Sequence, residues 1–168
     1  MAPAVWFAYS PNRKGEHPQG HLKSFRGILQ ADAYAGFDAL YEAGRIVPAA
    51  CWAHVRRKFF ESAEAHASPL AQEALARIGA LYAIEAQIRG QSPDTRRAVR
   101  QARAGPLLDD LHRWLKESLH GLSRKSTLAA AIGYALKLWP ALTRYRDDGR
   151  IEIDNNAAER ALRAVALG

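Results

Sequence analysis

The stretch IEIDNNAAERALR, Ile151 to Arg163, decides how this chain is read. Ile151 and Ile153 alternate with Glu152 and Asp154, the period of a short strand with one apolar and one acidic face. Asn155 and Asn156 suit the turn that follows, because Asn tolerates unusual backbone angles and its side chain accepts from the unpaired amides at a helix start. The helix is predicted to open at Ala157. With Asn156 as its cap, Glu159 falls at the third helical position, where its carboxylate would bond back to the cap amide and favour the positive end of the dipole. Helix stability and chemistry are both open readings of Glu159 at this point.

The rest of the chain supplies the context. At 168 residues, 48% hydrophobic and 24% charged, it is long enough for one globular domain with a real core. No apolar run approaches a membrane span, and the opening MAPAVWFAYS lacks the basic leader and long apolar centre of a signal peptide, so a cytoplasmic location is expected. The single cysteine, Cys51, excludes an internal disulfide. Lys and Arg outnumber Asp and Glu by 24 to 17, and the resulting charge of +7 leans toward an anionic partner such as nucleic acid.

Working back from Ile151, AVWFAYS reads as a strand and PNRKGEHP as a loop of turn formers. RGILQAD reads as a second strand that delivers Asp32 at or just past its C-terminal end. Tyr34, Phe37, Leu40 and Tyr41 then recur at helical spacing up to Gly44, a C-terminal cap. RIVPAACWAH reads as a further strand, with Pro48 at its start or on an edge. After His54 the pattern is helical for most of the chain. Ser68-Pro69 and Ser92-Pro93 open two helices, Ser126 opens a third, and breaks are predicted at Gly105-Pro106 and Pro140. Strand and helix at both ends with a helical block between them describe an α/β core interrupted by an insertion.

Three constellations carry possible chemistry. Asp32 and Glu159 would meet at one sheet edge if their strands are neighbours, and paired carboxylates there suit Mg²⁺ or Mn²⁺. Cys51, His54, His17 and His21 have gaps from which a zinc site can be written, although the usual Cys pair is missing; the alternative buries Cys51 and leaves His54 at a strand end. Arg96, Arg100 and Arg103 share one helix face, and Arg56, Arg57 and Lys58 form a second basic cluster. Each would track a phosphate backbone or, equally, form a solvated face. Trp114 and Trp139 lie on apolar stripes and are expected in the core.

Four stretches, GILQADAYAGFDALY, CWAHVRRKFFE, AIGYALKLWPALTRY and DGRIEIDNNAAERALRAVALG, together resemble the catalytic domain of the insertion sequence 66 family of bacterial transposases. The resemblance spans nearly the whole chain in order. It implies a partial ribonuclease-H-like (retroviral-integrase-like) core: residues 1–54 form its first part, 55–149 a large all-helical insertion, and 150–168 the last strand, turn and catalytic helix. It also implies a DDE site in which Asp32 is the second and Glu159 the third catalytic carboxylate, both holding Mg²⁺ or Mn²⁺. His54, Arg57 and Lys58 match the family's CWAHxRRKF stretch, and Arg160 is placed to meet a phosphate.

Before Asp32 the only acidic residue is Glu16, in a turn-rich loop, so the resemblance places the first catalytic Asp upstream of Met1. The chain is therefore expected to be a fragment of a DNA transposase: metal-dependent strand cleavage and strand transfer in the complete protein, little or no activity alone. Its expected partners are DNA and, as an oligomer, itself or intact transposase, in the bacterial nucleoid. The competing expectation is a non-enzymatic DNA-binding, assembly or inhibitor module derived from a transposase.

Overall fold

The computed structural model describes residues 7–12, 14–32, 34–42 and 44–166. Of the predicted opening strand AVWFAYS, residues 4–6 lie outside them, and the described remainder, residues 7–10, has no regular structure and is not a strand. The short helix α1 (Glu16–His21) forms where a loop is predicted. Pro18 lies in its first turn, where the missing N–H costs no helical bond, and Glu16 favours the dipole.

Strands β1 (Gly27–Gln30) and β2 (Ile46–Ala49) pair in parallel, Gly27 opposite Ile46 and Gln30 opposite Ala49. The crossover between them is a 3₁₀ turn (Ala35–Phe37) and α2 (Asp38–Glu42). Gly44, at φ +67°, supplies the left-handed residue that ends it. Pro48 cannot donate to a ladder, yet its carbonyl accepts from Arg144 Nε at 2.8 Å.

Helix α3 (Trp52–His66) starts at Trp52, earlier than predicted, so His54 lies in a first helical turn and not at a strand end. The strand stops because Cys51, in extended conformation, caps the helix, and the Trp52 amide is taken by the Ile153 carbonyl at 3.1 Å. Helices α4 (Pro69–Gln87), α5 (Pro93–Val99) and α7 (Thr127–Lys137) start as predicted. The hydroxyls of Ser68, Ser92 and Ser126 accept from the amides of Ala71, Thr95 and Ala129. The break expected at Gly105-Pro106 is a π turn (Arg100–Ala104) joining α5 to α6 (Gly105–His120). Pro106 has no N–H for the carbonyl one turn back, and the wider π spacing absorbs that loss. Leu138 separates α7 from α8 (Trp139–Asp147), with Pro140 in the first turn of α8.

Helix α9 (Asn156–Ala166) completes the order. The predicted strand before it is not one: Ile151 and Ile153 are buried and Glu152 is exposed, as alternation requires, but the segment joins no ladder. Its carbonyls go elsewhere, that of Glu152 to the Gln30 side-chain amide at 2.7 Å and that of Ile153 to the Trp52 amide. The fold is thus α/β, mostly helical, with a two-stranded parallel sheet among the described residues. None of the described helices is long and apolar enough to cross a membrane.

One apolar cluster runs from Ala49 and Trp52 through the helices to Ile151 and Ile153, joining all three predicted segments. Trp52 is fully buried; its indole N–H donates to the Leu142 carbonyl at 3.0 Å and its ring meets Trp139 edge-on at 5.7 Å. Trp114 and Trp139 pack against this cluster, as expected.

A second, polar centre sits beside it. Arg100 is 0% exposed and makes a bidentate pair with Glu85, Nε at 2.8 Å and Nη2 at 2.6 Å. Its Nη1 donates to the carbonyls of Tyr145 at 2.8 Å and Ile151 at 3.0 Å, with Asp148 at 3.3 Å. Arg96, one turn earlier, forks onto the Glu152 carboxylate at 2.8 and 2.7 Å. Replacing Arg100 by Met leaves the buried Glu85 charge with only the longer contact to Arg96 at 3.8 Å, and the expected loss is about 3–5 kcal/mol in urea unfolding. Adding Glu85→Met should recover part of that loss, leaving only the deficit of the unsatisfied carbonyls; a double variant no better than Arg100→Met alone would contradict the pairing account.

Candidate functional site

The parallel pair ends at Gln30 and Ala49, and chemically capable side chains follow both ends. Beyond β1, Asp32 is exposed, and its carbonyl accepts from the Tyr34 amide at 2.7 Å as the chain turns into the crossover. It borders a cavity of about 310 Å³ with Tyr41, Asp38, Lys137 and Arg144. Burial, with Asp38 and Asp32 adding negative charge, pushes the Tyr41 phenol above its ordinary pKa.

Beyond β2, the first turns of α3 and α9 meet. The Asn155 carbonyl accepts from the amides of Ala158 at 2.9 Å and Glu159 at 3.2 Å, so Asn155 is the cap and Asn156 the first helical residue. Glu159 therefore lies one position later than predicted. The Asn156 amide donates instead to the Asp154 carboxylate at 3.1 Å. The Glu159 carboxylate faces across to α3, where its Oε1 is 3.4 Å from His54 Nε2. Both side chains are partly exposed, 21% for His54 and 35% for Glu159. Two positive helix ends thus face one carboxylate.

Backbone contacts hold the junction. Besides the Trp52 amide on Ile153, the Asn155 amide donates to Cys51 Sγ at 3.4 Å, and burial pushes the Cys51 thiol above its ordinary pKa. Tyr82 comes in from α4 with its hydroxyl buried; burial and the Asp154 carboxylate raise its pKa. The roles of Asp154 and Tyr82 are absent from the sequence reading. Asp154 carries a signal that could have been used, as an Asp two residues before the helix start.

The basic residues divide. Arg56, Arg57, Lys58 and Arg160 are exposed, and Lys58 Nζ lies 4.7 Å over the Tyr134 ring. Arg100 and Arg96 do not belong to an outward DNA-facing stripe, because Glu85, Glu152 and backbone carbonyls take their donors inside the fold. Arg103 remains exposed and donates to Gln87 at 2.7 Å. The zinc quartet is not assembled: His17 pairs with Asn12 at 2.9 Å, Cys51 is buried and His54 faces Glu159. Among the described residues no group of three His, Cys, Asp or Glu could hold a metal ion, so Asp32 and Glu159 do not by themselves form a closed cage for Mg²⁺ or Mn²⁺.

The chain belongs to the family described as Transposase IS66 family, whose model matches residues 1–168. It is 46% identical to uncharacterized protein y4hP of Sinorhizobium fredii (strain NBRC 101917 / NGR234), over 99% of this chain and 33% of that protein. It is 37% identical to uncharacterized protein y4jD of the same organism, over 98% of this chain and 34% of that protein. The chain spans about a third of the length of the curated relatives it matches. No solved structure matches it.

The junction makes Cys51 a reporter. With its thiol buried and its pKa raised, labelling by a maleimide at pH 8 should run more than about tenfold slower in the folded chain than in urea. Equal rates in the two conditions would show that α9 does not stay docked on the start of α3.

Proposed function

We propose that this chain is the part of a DDE transposase catalytic domain that supplies the second and third catalytic carboxylates, Asp32 and Glu159. Its whole protein would cut DNA at the transposon ends and join the resulting 3′-hydroxyl to target DNA. The observation that carries this reading is the position of Glu159. Its carboxylate does not close a capping box; it stands across a helix junction from His54, past the C-terminal end of a parallel strand pair. Asp32 follows the C-terminal end of the neighbouring strand. Sites in sheets flanked by helices are built at that edge. Support for a ribonuclease-H-like core comes from the parallel pair with its helical crossover.

Mg²⁺ or Mn²⁺ bound by such carboxylates would supply charge neutralisation at the reacting phosphodiester. Within this chain, Asp32 and Glu159 offer oxygen ligands, and His54 restrains the Glu159 carboxylate. A third carboxylate must come from elsewhere in the protein, so we expect the isolated chain to be inactive or nearly so. A second reading, a DNA-binding or assembly module without chemistry, is favoured by the net charge of +7.

The two readings separate on supercoiled plasmid with Mn²⁺. The chain alone should leave the plasmid intact, whereas the chain joined to the preceding region of the y4hP relative should nick it. Glu159→Gln in the joined protein should lower nicking by at least about a hundredfold, as loss of an essential group does. Nicking indifferent to Glu159→Gln would remove Glu159 from the site. A folded joined protein that binds DNA without nicking it would favour the module.

A further inference from the structure

Two cavities lie along the outer side of α4 and share Tyr82 and Asn156 in their walls. The first, about 570 Å³, opens between α3 and α4 beside Arg56 and Arg57. The second, about 700 Å³, continues past the start of α9 to Arg89 and Arg160. Sharing two wall residues, they form one trough. Its length runs from α3, across the α3–α9 junction, to the C-terminal end of α4.

The charge on this trough is unbalanced in a specific way. Arg56, Arg57, Arg89 and Arg160 are exposed, and none of them has a carboxylate within ion-pair distance among the described residues. Elsewhere the guanidiniums of Arg77, Arg97, Arg113, Arg146 and Arg150 are paired. Arg45, Arg103 and Arg144 donate to neutral oxygens and stand apart from one another; the trough differs in gathering four cations without a carboxylate along one groove. The trough also contains three carboxylates, and each is engaged. Glu85 is held by Arg100, Glu152 by Arg96, and Asp154 accepts the Asn156 amide. What remains is four unpaired cations and the single charge of Asp154, a net positive groove. The amide ends of α3 and α9 add positive potential at its middle.

We propose that this trough seats a DNA backbone, with Arg56, Arg57, Arg89 and Arg160 as its phosphate contacts. Charge complementarity selects a polyanion: four cations strung along a groove match a line of phosphates. Asn156 and Arg160, four positions apart on α9, line it, and Glu159 precedes Arg160 in that helix. The proposal rests on the reading of the chain as a DNA-processing domain and adds the surface, including Arg89, which sequence patterning does not single out. The paired face of Arg96 and Arg100 takes no part.

The test is the salt dependence of binding to a fluorescein-labelled 40-base-pair duplex of random sequence. Each phosphate contact contributes about 0.9 to the slope of log K against log salt on duplex DNA. Arg89→Gln and Arg57→Gln should each reduce the slope by about that amount, Arg89→Lys should retain it, and Arg113→Gln, which alters a paired arginine on α6, should leave it unchanged. Circular dichroism on every variant excludes misfolding as the cause. An unchanged slope in both trough variants, with wild-type binding intact, overturns the trough and spares the DNA reading. No salt-dependent binding by the wild-type chain overturns both. Displacement by poly-glutamate as effective as by unlabelled DNA at equal charge would assign the trough to acidic protein and overturn the proposal.

Discussion

The buried guanidinium of Arg100 is the constraint on which the arrangement of this chain depends. A charge with no solvent exposure is tolerable only when fully paired, and here one carboxylate and backbone carbonyls occupy its donors. Its partners are far apart in sequence: Glu85 in α4, and the stretch from Tyr145 to Ile151 that ends α8 and leads toward α9. A single side chain thereby fixes the end of the helical block onto its beginning. Replacing such a pair by apolar groups is often no loss in stability, so its contribution is better placed in geometry, where misaligned packings leave a charge unpaired.

That geometry explains the path of the chain into α9. Gly149 packs so closely on Pro93 that a Cβ there would collide with the Pro93 backbone, which only glycine avoids. Arg96 then grips the Glu152 side chain while Gln30, at the end of β1, takes the Glu152 carbonyl. One residue is thus tied both to the helical block and to the sheet. From there the Ile153 carbonyl meets the start of α3, and the Asn155 amide meets Cys51. The position of Glu159 is inherited from this sequence of contacts. The helical block thus takes part in placing Glu159, although Glu159 lies outside it.

Sequence carried the features whose physics is local. Ser68, Ser92 and Ser126 cap helices because a hydroxyl before a helix start has few better uses, and Pro48 and Pro140 restrict their backbones wherever they occur. Alternation at Ile151 to Ile153 correctly gave the buried side chains but not the strand, because alternation reports extension and leaves open what bonds the backbone. Arg96 and Arg100 read as a basic stripe because their spacing is helical and their type is usually exposed. Only the packing of α4 against the π turn shows that Glu85 stands opposite them. The early start of α3 was hidden because the partner of its first amide is Ile153, about a hundred residues away.

The helix-start reading of Glu159 does not exclude the proposed catalytic one. A carboxylate in a first helical turn is favoured by the dipole whatever else it does, and here the start of α3 adds a second positive end. The same field favours the carboxylate where it stands, turned toward His54 at the start of α3. Reciprocal capping would have consumed it, by folding the side chain back onto its own backbone. Asp154 removes that need by taking the Asn156 amide, so the capping task falls to a residue two positions before the helix. The consequence is a division of labour within one turn: Asp154 and Asn155 begin the helix, and Glu159 is left facing His54.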